Sequence, residues 1–365
     1  MKFLGIDLHS NRFTCCFIYD DGFKKISTFN IDPDSLKNFY SLLDENMYVM
    51  IEASTNTFKF VELIRDRVRD VFVANTHKLR LISMVNKKTD RIDAEKLAIF
   101  LKMQLVSGEE LIKPVYIPEQ RIQDLRSLFT SYKLIKKEIG AIKNRIHSIL
   151  RQNLYPFTKE YIFGKKNREV IQNLDMDDVA DFQLHFFFNQ LEQLEKGVQE
   201  IEDKIYIIGS KYTKEIDILT SMKGISVMTA IAIIADIATI ERFPNSKNFT
   251  SYLRSAPGID SSNETTRVTK TTKFGRKLSV TLISQSLNHF RDSNPKFSRW
   301  YNNKTPSHSK GKIRMALCRR VFAEIYQMLN KEEYHYFRDE EFHNKKMDKY
   351  YNFLAKNGIV FKKIA

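Results

Sequence analysis

The chain has 365 residues, 42% hydrophobic and 28% charged, which is typical of a globular protein with two or three domains. Its three cysteines indicate neither a disulfide framework nor a zinc site, and its short apolar start and lack of any apolar run near about 18 residues predict no signal peptide and no membrane span. The formal net charge of +15 favours a polyanionic partner, and we expect a cytoplasmic protein.

The first 110 residues alternate short β-type runs with helical patterns, which predicts an α/β layer structure. The first two runs, 3–8 and 12–19, are separated by a short polar turn, so we expect an antiparallel hairpin at one side of a mixed sheet. Further strands are predicted at 23–29, 47–51 and 71–74, and a helix at 58–68.

Residues 111–210 are predicted to form a helical spacer. Apolar residues recur at steps of three and four over 117–155, which predicts one long helix, and a turn is predicted at 163–168. A second helix carries a heptad seam of the coiled-coil type, which permits an antiparallel helix hairpin, an assembly between subunits, or a plain helical core. The seam consists of Leu184, Phe187, Leu191, Leu194, Val198, Ile201, Ile205 and Ile208.

The composition changes near residue 210, where we predict a boundary to a helical C-terminal domain at 211–335 and a tail at 336–365. The predicted elements are an apolar helix at 227–237, a short helix at 246–253, a polar basic loop at 254–273, and helices at about 277–290 and 312–329.

A turn at Lys223-Gly224-Ile225 precedes the apolar helix. Gly224 permits a tight turn, and the free N–H groups of the following helix can bind a phosphate, as in a helix-hairpin-helix. The alternative interpretation is an ordinary turn between two helices.

Four acids carry the chemistry that the N-terminal part predicts. Asp7 interrupts an apolar strand, Glu52 follows the strand at 47–51, and the three-residue spacing of Asp90 and Asp93 puts both on one helix face. Taken singly, Asp90 reads as a helix N-cap, Asp93 as a first-turn acid and Glu52 as a loop carboxylate. Together they match the acidic arrangement of an RNase H-like sheet, whose carboxylate oxygens suit Mg²⁺. Two such ions about 4 Å apart can promote phosphoryl transfer.

Several motifs combine along nearly the whole chain. In the N-terminal part they are G-I-D-L-H, I-E-A and K-T-D-R-I-D-A-E-K-L-A, and in the C-terminal part L-T-S-M-K-G-I-S-V-M-T-A, R-F-P-N-S-K-N-F-T-S-Y-L and K-F-G-R-K-L. In this combination the chain resembles the insertion-sequence transposases related to the Piv DNA invertase, the "IS one-ten" type. The resemblance implies a RuvC-like domain at 1–110 with a D-E-D-D tetrad, which corresponds here to Asp7, Glu52, Asp90 and Asp93.

The same resemblance implies a catalytic serine in the segment 256–263. We assign it to Ser262, because its distance from Gly275 in K-F-G-R fits the family pattern, and keep Ser261 as the alternative; the family has Ser-Gly where this chain has Ser262-Asn263. Flanking basic residues are then expected to hold the phosphate backbone together with Lys223 and Gly224. They are Arg267, Lys270, Lys273, Arg276 and Lys277.

The resemblance implies a DNA transposase or site-specific recombinase that uses Mg²⁺ and a phosphoserine intermediate. It also implies a structured guide RNA encoded by the element, and strand exchange implies a homo-oligomer, a dimer or tetramer, with the heptad helices as the expected interface. Two alternatives remain. A RuvC-like junction-resolving nuclease would not need Ser262, and a non-catalytic nucleic-acid-binding scaffold would not depend on metal.

Overall fold

The computed structural model describes residues 1–75, 89–164, 166–262, 265–271, 274–305 and 308–359, with the backbone alone described for 259–262 and 265–270. The chain divides into two compact units, Met1–Pro118 and Glu119–Ala365. Within the described residues, no helix combines the length and the apolar composition needed to cross a membrane.

The first unit is built on a five-stranded mixed sheet in the order β3-β2-β1-β4-β5. β2 pairs antiparallel with β1 and β3, and β4 pairs parallel with β1 and β5. This confirms the predicted antiparallel hairpin at one side of a mixed sheet. The strands are β1 (Lys2–Leu8), β2 (Arg12–Ile18), β3 (Lys24–Asn30), β4 (Met47–Glu52) and β5 (Asp70–Ala74).

Helices cover both faces of this sheet. α1 (Pro33–Tyr40) and α2 (Thr57–Ile64) pack on one face, with a short 3-10 turn ending the segment predicted as a helix at 58–68. The other face is covered by α3 (Asp90–Ser107). α3 approaches β1 closely because Gly5 has no side chain: a Cβ there would lie 2.1 Å from the Ala94 carbonyl oxygen.

Two long helices begin the second unit, α4 (Gln120–Gln152) and α7 (Asp178–Gly209), with short helices α5 (Lys159–Ile162) and α6 (Arg168–Gln172) between them. The long helices run antiparallel, since Lys143 of α4 lies 3.2 Å from Glu195 of α7 while Arg145 lies over the ring of Phe187. Of the arrangements that the heptad seam permitted, the structure has the hairpin within one chain. Its apolar layer includes Ile139, Ile146, Leu150, Leu184, Phe188, Leu191 and Val198.

The remaining helices surround α9 (Val227–Ile237), whose residues are almost all buried because its sequence is apolar on every side. The other helices are α8 (Thr213–Thr220), α10 (Ser246–Tyr252), α11 (Leu278–Gln285), α12 (Leu287–Ser293), α13 (Pro295–Lys304), α14 (Lys310–Lys331) and α15 (Glu340–Lys356). The helix predicted at 277–290 is in fact two helices that meet at Ser286. The sequence did not predict α13, nor α15, which lies in the segment expected to be a tail.

The prediction of a loop at 254–273 was wrong. Its backbone forms an antiparallel hairpin of β6 (Pro257–Ser262) and β7 (Thr265–Thr271), here called the serine hairpin. β7 contains four threonines and one valine, and such β-branched residues favour strands. The sequence predicted a loop here because threonine, lysine and arginine are polar and also common in loops.

Candidate functional site

Two of the four predicted acids lie at the same edge of the sheet. Asp7 is the penultimate residue of β1, 8% exposed, and Glu52 is the last residue of β4. Because Ile6 of β1 is in register with Ile51 of the parallel β4, the two acids occupy the next matching positions. β4 therefore ends one residue later than predicted, and Glu52 is its last residue rather than the residue that follows it.

The other two acids lie in the first turn of α3, which covers the face of β1 that carries Asp7. The N-cap of α3 is Thr89, whose Oγ1 accepts a hydrogen bond from the backbone N–H of Ile92. The interpretation of Asp90 as the N-cap was therefore wrong. Its carboxylate is left to contact Arg12, with 3.1 Å between Nη2 and Oδ2.

His9 joins the acids. Its Nε2 lies 3.4 Å from Oδ2 of Asp7 and 3.4 Å from Oδ1 of Asp90. His9 was not predicted from the sequence, because the spacing among the histidines alone does not reveal it. The available signal was the two-residue step from Asp7 to His9, which places both on one side of an extended chain.

The negative charges of the other three acids affect the pKa of Asp7. Burial raises the pKa of the Asp7 carboxyl group, and the negative charges of Asp90, Glu52 and Asp93 raise it further, while His9 lowers it. The repulsion among these carboxylates is therefore a property of the folded unit. A bound cation would relieve it.

The donor set fits a divalent metal ion. Asp7, His9 and Asp90 each offer one ligand atom, and the three atoms lie within 4.8 Å of one another. Carboxylate oxygens are the ligands that Mg²⁺ prefers, while an imidazole nitrogen also suits transition metals such as Mn²⁺. The charges of Glu52 and Asp93 also act on Asp7, and the Asp93 carboxylate lies 3.8 Å from the ammonium group of Lys96.

The predicted serine and its neighbours lie in the second unit. Ser262 is the last residue of β6 and pairs with Thr265, and Ser261 pairs with Thr266. Arg267 and Lys270 lie on β7, and Lys277 is exposed just before α11. Lys273 and Asn263 lie outside the described residues.

The base of the serine hairpin is held by a close backbone approach. Gly275 has a φ of +91°, and a Cβ there would lie 2.0 Å from the Tyr252 carbonyl oxygen. That same oxygen accepts a hydrogen bond from the backbone N–H of Arg276 at 3.0 Å, and Arg254 Nε donates to the Gly275 carbonyl at 2.7 Å. The residues just before and just after the hairpin are thereby tied together.

Asp236 of α9 forms an ion pair with Arg276. Asp236 is fully buried, and its carboxylate accepts from Arg276 Nε at 3.1 Å and from the Ser279 N–H and hydroxyl at 2.8 and 2.7 Å. Asp236 was not predicted from the sequence, although an acid inside an otherwise apolar helix is a visible signal. Arg276, which the sequence assigns to phosphate binding, places its Nε on this buried carboxylate, while its side chain stays partly exposed.

Gly224 has the backbone conformation that the predicted tight turn requires. Gly224 has a φ of +107°, and Ser226 caps α9 by accepting from the Thr229 N–H at 3.1 Å. Lys223 is exposed. The ammonium group of Lys346 on α15 donates to the carbonyls of Thr220 and Ile225 at 2.8 Å each, which fixes both ends of the turn.

Two family models match the chain. Residues 4–155 match a DEDD domain of the IS110 type, described as "Transposase", and residues 216–302 match a model described as "Transposase IS116/IS110/IS902 family". The first match contains the four clustered acids, and the second contains the Lys223-Gly224 turn, Asp236 and the serine hairpin. No curated protein matches the chain.

Proposed function

We propose that this chain is the recombinase of an insertion sequence, with a DEDD metal site and a serine nucleophile. Its matches to a DEDD transposase domain of the IS110 type over residues 4–155 and to the IS116/IS110/IS902 transposase model over residues 216–302 support DNA binding and the use of a divalent metal. The observation that most directly supports the proposal is the group of Asp7, His9 and Asp90, whose ligand atoms lie within 4.8 Å of one another. The negative charges of Glu52 and Asp93 also act on Asp7. The five-stranded mixed sheet with α3 on the face of Asp7 supports an RNase H-like, RuvC-like first domain.

The four acids Asp7, Glu52, Asp90 and Asp93 would hold Mg²⁺, with His9 as an additional contact. When bound, the metal supplies charge stabilisation for the attacking and leaving oxygens of phosphoryl transfer. Asp7 lies on β1 and Asp90 on α3, and these two elements pack closely against each other at Gly5. The separation of the two acids is therefore fixed before any ligand binds. This preorganisation reduces the cost of assembling the site.

The hydroxyl oxygen of Ser262 is the proposed nucleophile. It attacks the phosphorus of a DNA phosphodiester, and one deoxyribose oxygen leaves as a hydroxyl while the serine proton passes to a general base. The phosphoserine ester retains the energy of the broken bond. A second strand's hydroxyl can then displace the serine and rejoin the DNA without ATP.

The proposed partners are DNA and a guide RNA. Arg267, Lys270, Lys273, Lys277 and the Lys223-Gly224 turn are proposed contacts to the phosphate backbone. Target choice by base pairing with a guide RNA is proposed on the resemblance alone.

We also propose a homo-oligomer, because recombination joins two duplexes. The heptad seam is filled within the chain, so the expected interface moves to the outer face of α7. Its exposed apolar residues are Val179, Phe182 and Phe186.

The test is a covalent adduct. End-labelled DNA is incubated with the full-length protein, Mg²⁺ and its co-purified RNA, and the products are separated by denaturing electrophoresis. Wild type and Ser261→Ala should give a protein–DNA adduct that maps to Ser262, and Ser262→Ala should give none while still binding DNA. A nick without any adduct would favour the junction-resolving nuclease, and full recombination by the double alanine variant would overturn the serine mechanism.

A further inference from the structure

Three arginines converge on the last turn of α9. Arg126 of α4 donates from Nε to the Ala235 carbonyl at 2.7 Å and from Nη2 to the Asp236 carbonyl at 3.1 Å. Arg242 donates from Nη1 to the Ile237 carbonyl at 3.0 Å, and Arg276 pairs with the Asp236 carboxylate. We call Arg126, Arg242 and Arg276 the arginine cluster.

The members of the arginine cluster repel one another. Burial lowers the pKa of Arg126 to about 10, and the charges of Arg276 and Arg242 contribute to the lowering. The helix end offers about half a negative charge and the Asp236 carboxylate a full one, so three guanidinium groups leave an excess of positive charge. Capping a helix end accounts for a cation at this place, but it does not call for three guanidinium groups.

An anion has access to the cluster. The side chain of Arg276 is 38% exposed, and Arg126 and Arg242 are half-buried. The Arg242 guanidinium is stacked on the Tyr252 ring with 4.7 Å to its centroid, which limits its rotation. Guanidinium groups held in this way are suited to a phosphate, whose oxygens accept paired N–H bonds.

The cluster also lies at the base of the serine hairpin. Arg276 directly follows Gly275, whose carbonyl accepts the bond from Arg254 at the start of the hairpin. Tyr252, on which Arg242 stacks, accepts the backbone bond of Arg276. A phosphate bound here would therefore be held against the segment that carries Ser262 at its far end.

We propose that Arg126, Arg242 and Arg276 bind one backbone phosphate of the DNA strand that the serine hairpin engages. The choice of DNA as the ligand rests on the proposed function. The phosphate relieves the repulsion within the cluster and fixes the strand beside the hairpin.

The test is the salt dependence of DNA binding by the full-length protein, measured with random-sequence duplex DNA. Losing one phosphate contact makes the slope of log K against log salt shallower by about 0.9 and weakens binding. Arg242→Gln and Arg276→Gln should each show this change, and Arg242→Lys, which keeps the charge, should keep most of the slope. The matched control is Lys196→Gln, an exposed cation of α7 paired with Glu192, which should leave the slope unchanged.

Thermal unfolding and adduct formation separate the outcomes. If Arg242→Gln and Arg276→Gln both fold normally and keep the wild-type slope, the phosphate site is overturned. A slope change confined to the arginine variants supports it even if wild type forms no adduct, a result that would sink only the serine mechanism. If the glutamine variants unfold, Arg242→Lys decides. A folded lysine variant that keeps most of the slope but binds DNA more weakly than wild type supports the site, because lysine cannot make the paired N–H bonds of arginine. A folded lysine variant with wild-type affinity overturns it.

Discussion

The imidazole Nε2 of His9 lies 3.4 Å from the carboxylate of Asp7, just past the end of the central strand. The same nitrogen lies 3.4 Å from Asp90, so one side chain links the acid of the strand to an acid of the helix. This contact makes His9 part of the proposed metal site.

Replacing His9 should weaken metal binding. We expect His9→Ala to lower the affinity for Mn²⁺ or Mg²⁺ by roughly 10–100-fold, as for residues that orient metal ligands. The measurement is the metal concentration that gives half of the maximal thermal stabilisation. His185→Ala, in the second unit, serves as control, and equal midpoints for both variants would remove His9 from the site.

Asp7→Asn should abolish recombination without unfolding the protein. Recombination should fall by more than about 100-fold, since a ligand matters at least as much as a residue that orients one. Because the folded state raises the pKa of Asp7, the stability linked to its proton is present at low pH and is lost as pH rises through that pKa. At neutral pH without metal, Asp7→Asn should therefore melt at the same or a higher temperature.

With metal present, the wild type should melt at a higher temperature than Asp7→Asn. At about 100 times the dissociation constant, metal stabilises the wild type by about 2.7 kcal/mol and should leave Asp7→Asn nearly unchanged. Asp66→Asn, an exposed acid in the 3-10 turn, should behave as wild type. Native recombination rates in Asp7→Asn would refute the metal site.

Gly275→Ala should damage the base of the serine hairpin. A Cβ at this position would meet the Tyr252 carbonyl oxygen, and its positive φ is unfavourable for alanine, so we expect a loss of about 1–3 kcal/mol in unfolding free energy. Adduct formation should fall more than DNA binding. Gly197→Ala is the control, because a Cβ there meets nothing within 4 Å and helix propensity should add about 0.5–1 kcal/mol.

DNA binding should depend strongly on salt. With about 6–10 phosphate contacts, affinity should fall by roughly 10³–10⁵ between about 50 and 200 mM salt. Fluorescence anisotropy with a labelled duplex measures it. A flat response would mean that the net charge of +15 serves another purpose.

Self-association should depend on the outer face of α7. Phe182 and Phe186 are 69% and 46% exposed, and replacing both with serine should shift the protein toward the monomer in analytical ultracentrifugation. Leu154→Ser changes another exposed apolar residue, 89% exposed, and should leave the equilibrium unchanged. Identical sedimentation of wild type and the double variant would place the interface elsewhere.

The sequence by itself determined the elements whose signal is local. Alternation and apolar runs gave the five strands, and steps of three and four gave the two long helices, because each pattern reflects which side of one element is buried. Asp7 stood out for the same reason, as a charge in an apolar strand. The strands of the serine hairpin were not predicted, because they are mostly polar and each contains only one aliphatic residue, Ile259 or Val268.

Only the tertiary structure decided which distant residues meet. His9 and Asp90 are neighbours because Gly5 lets α3 pack closely on β1, and no periodicity reports such a contact. The pairing of Asp236 with Arg276 and the use of the heptad seam inside one chain depend likewise on packing. A local pattern states which side of an element is buried, but packing determines what it is buried against.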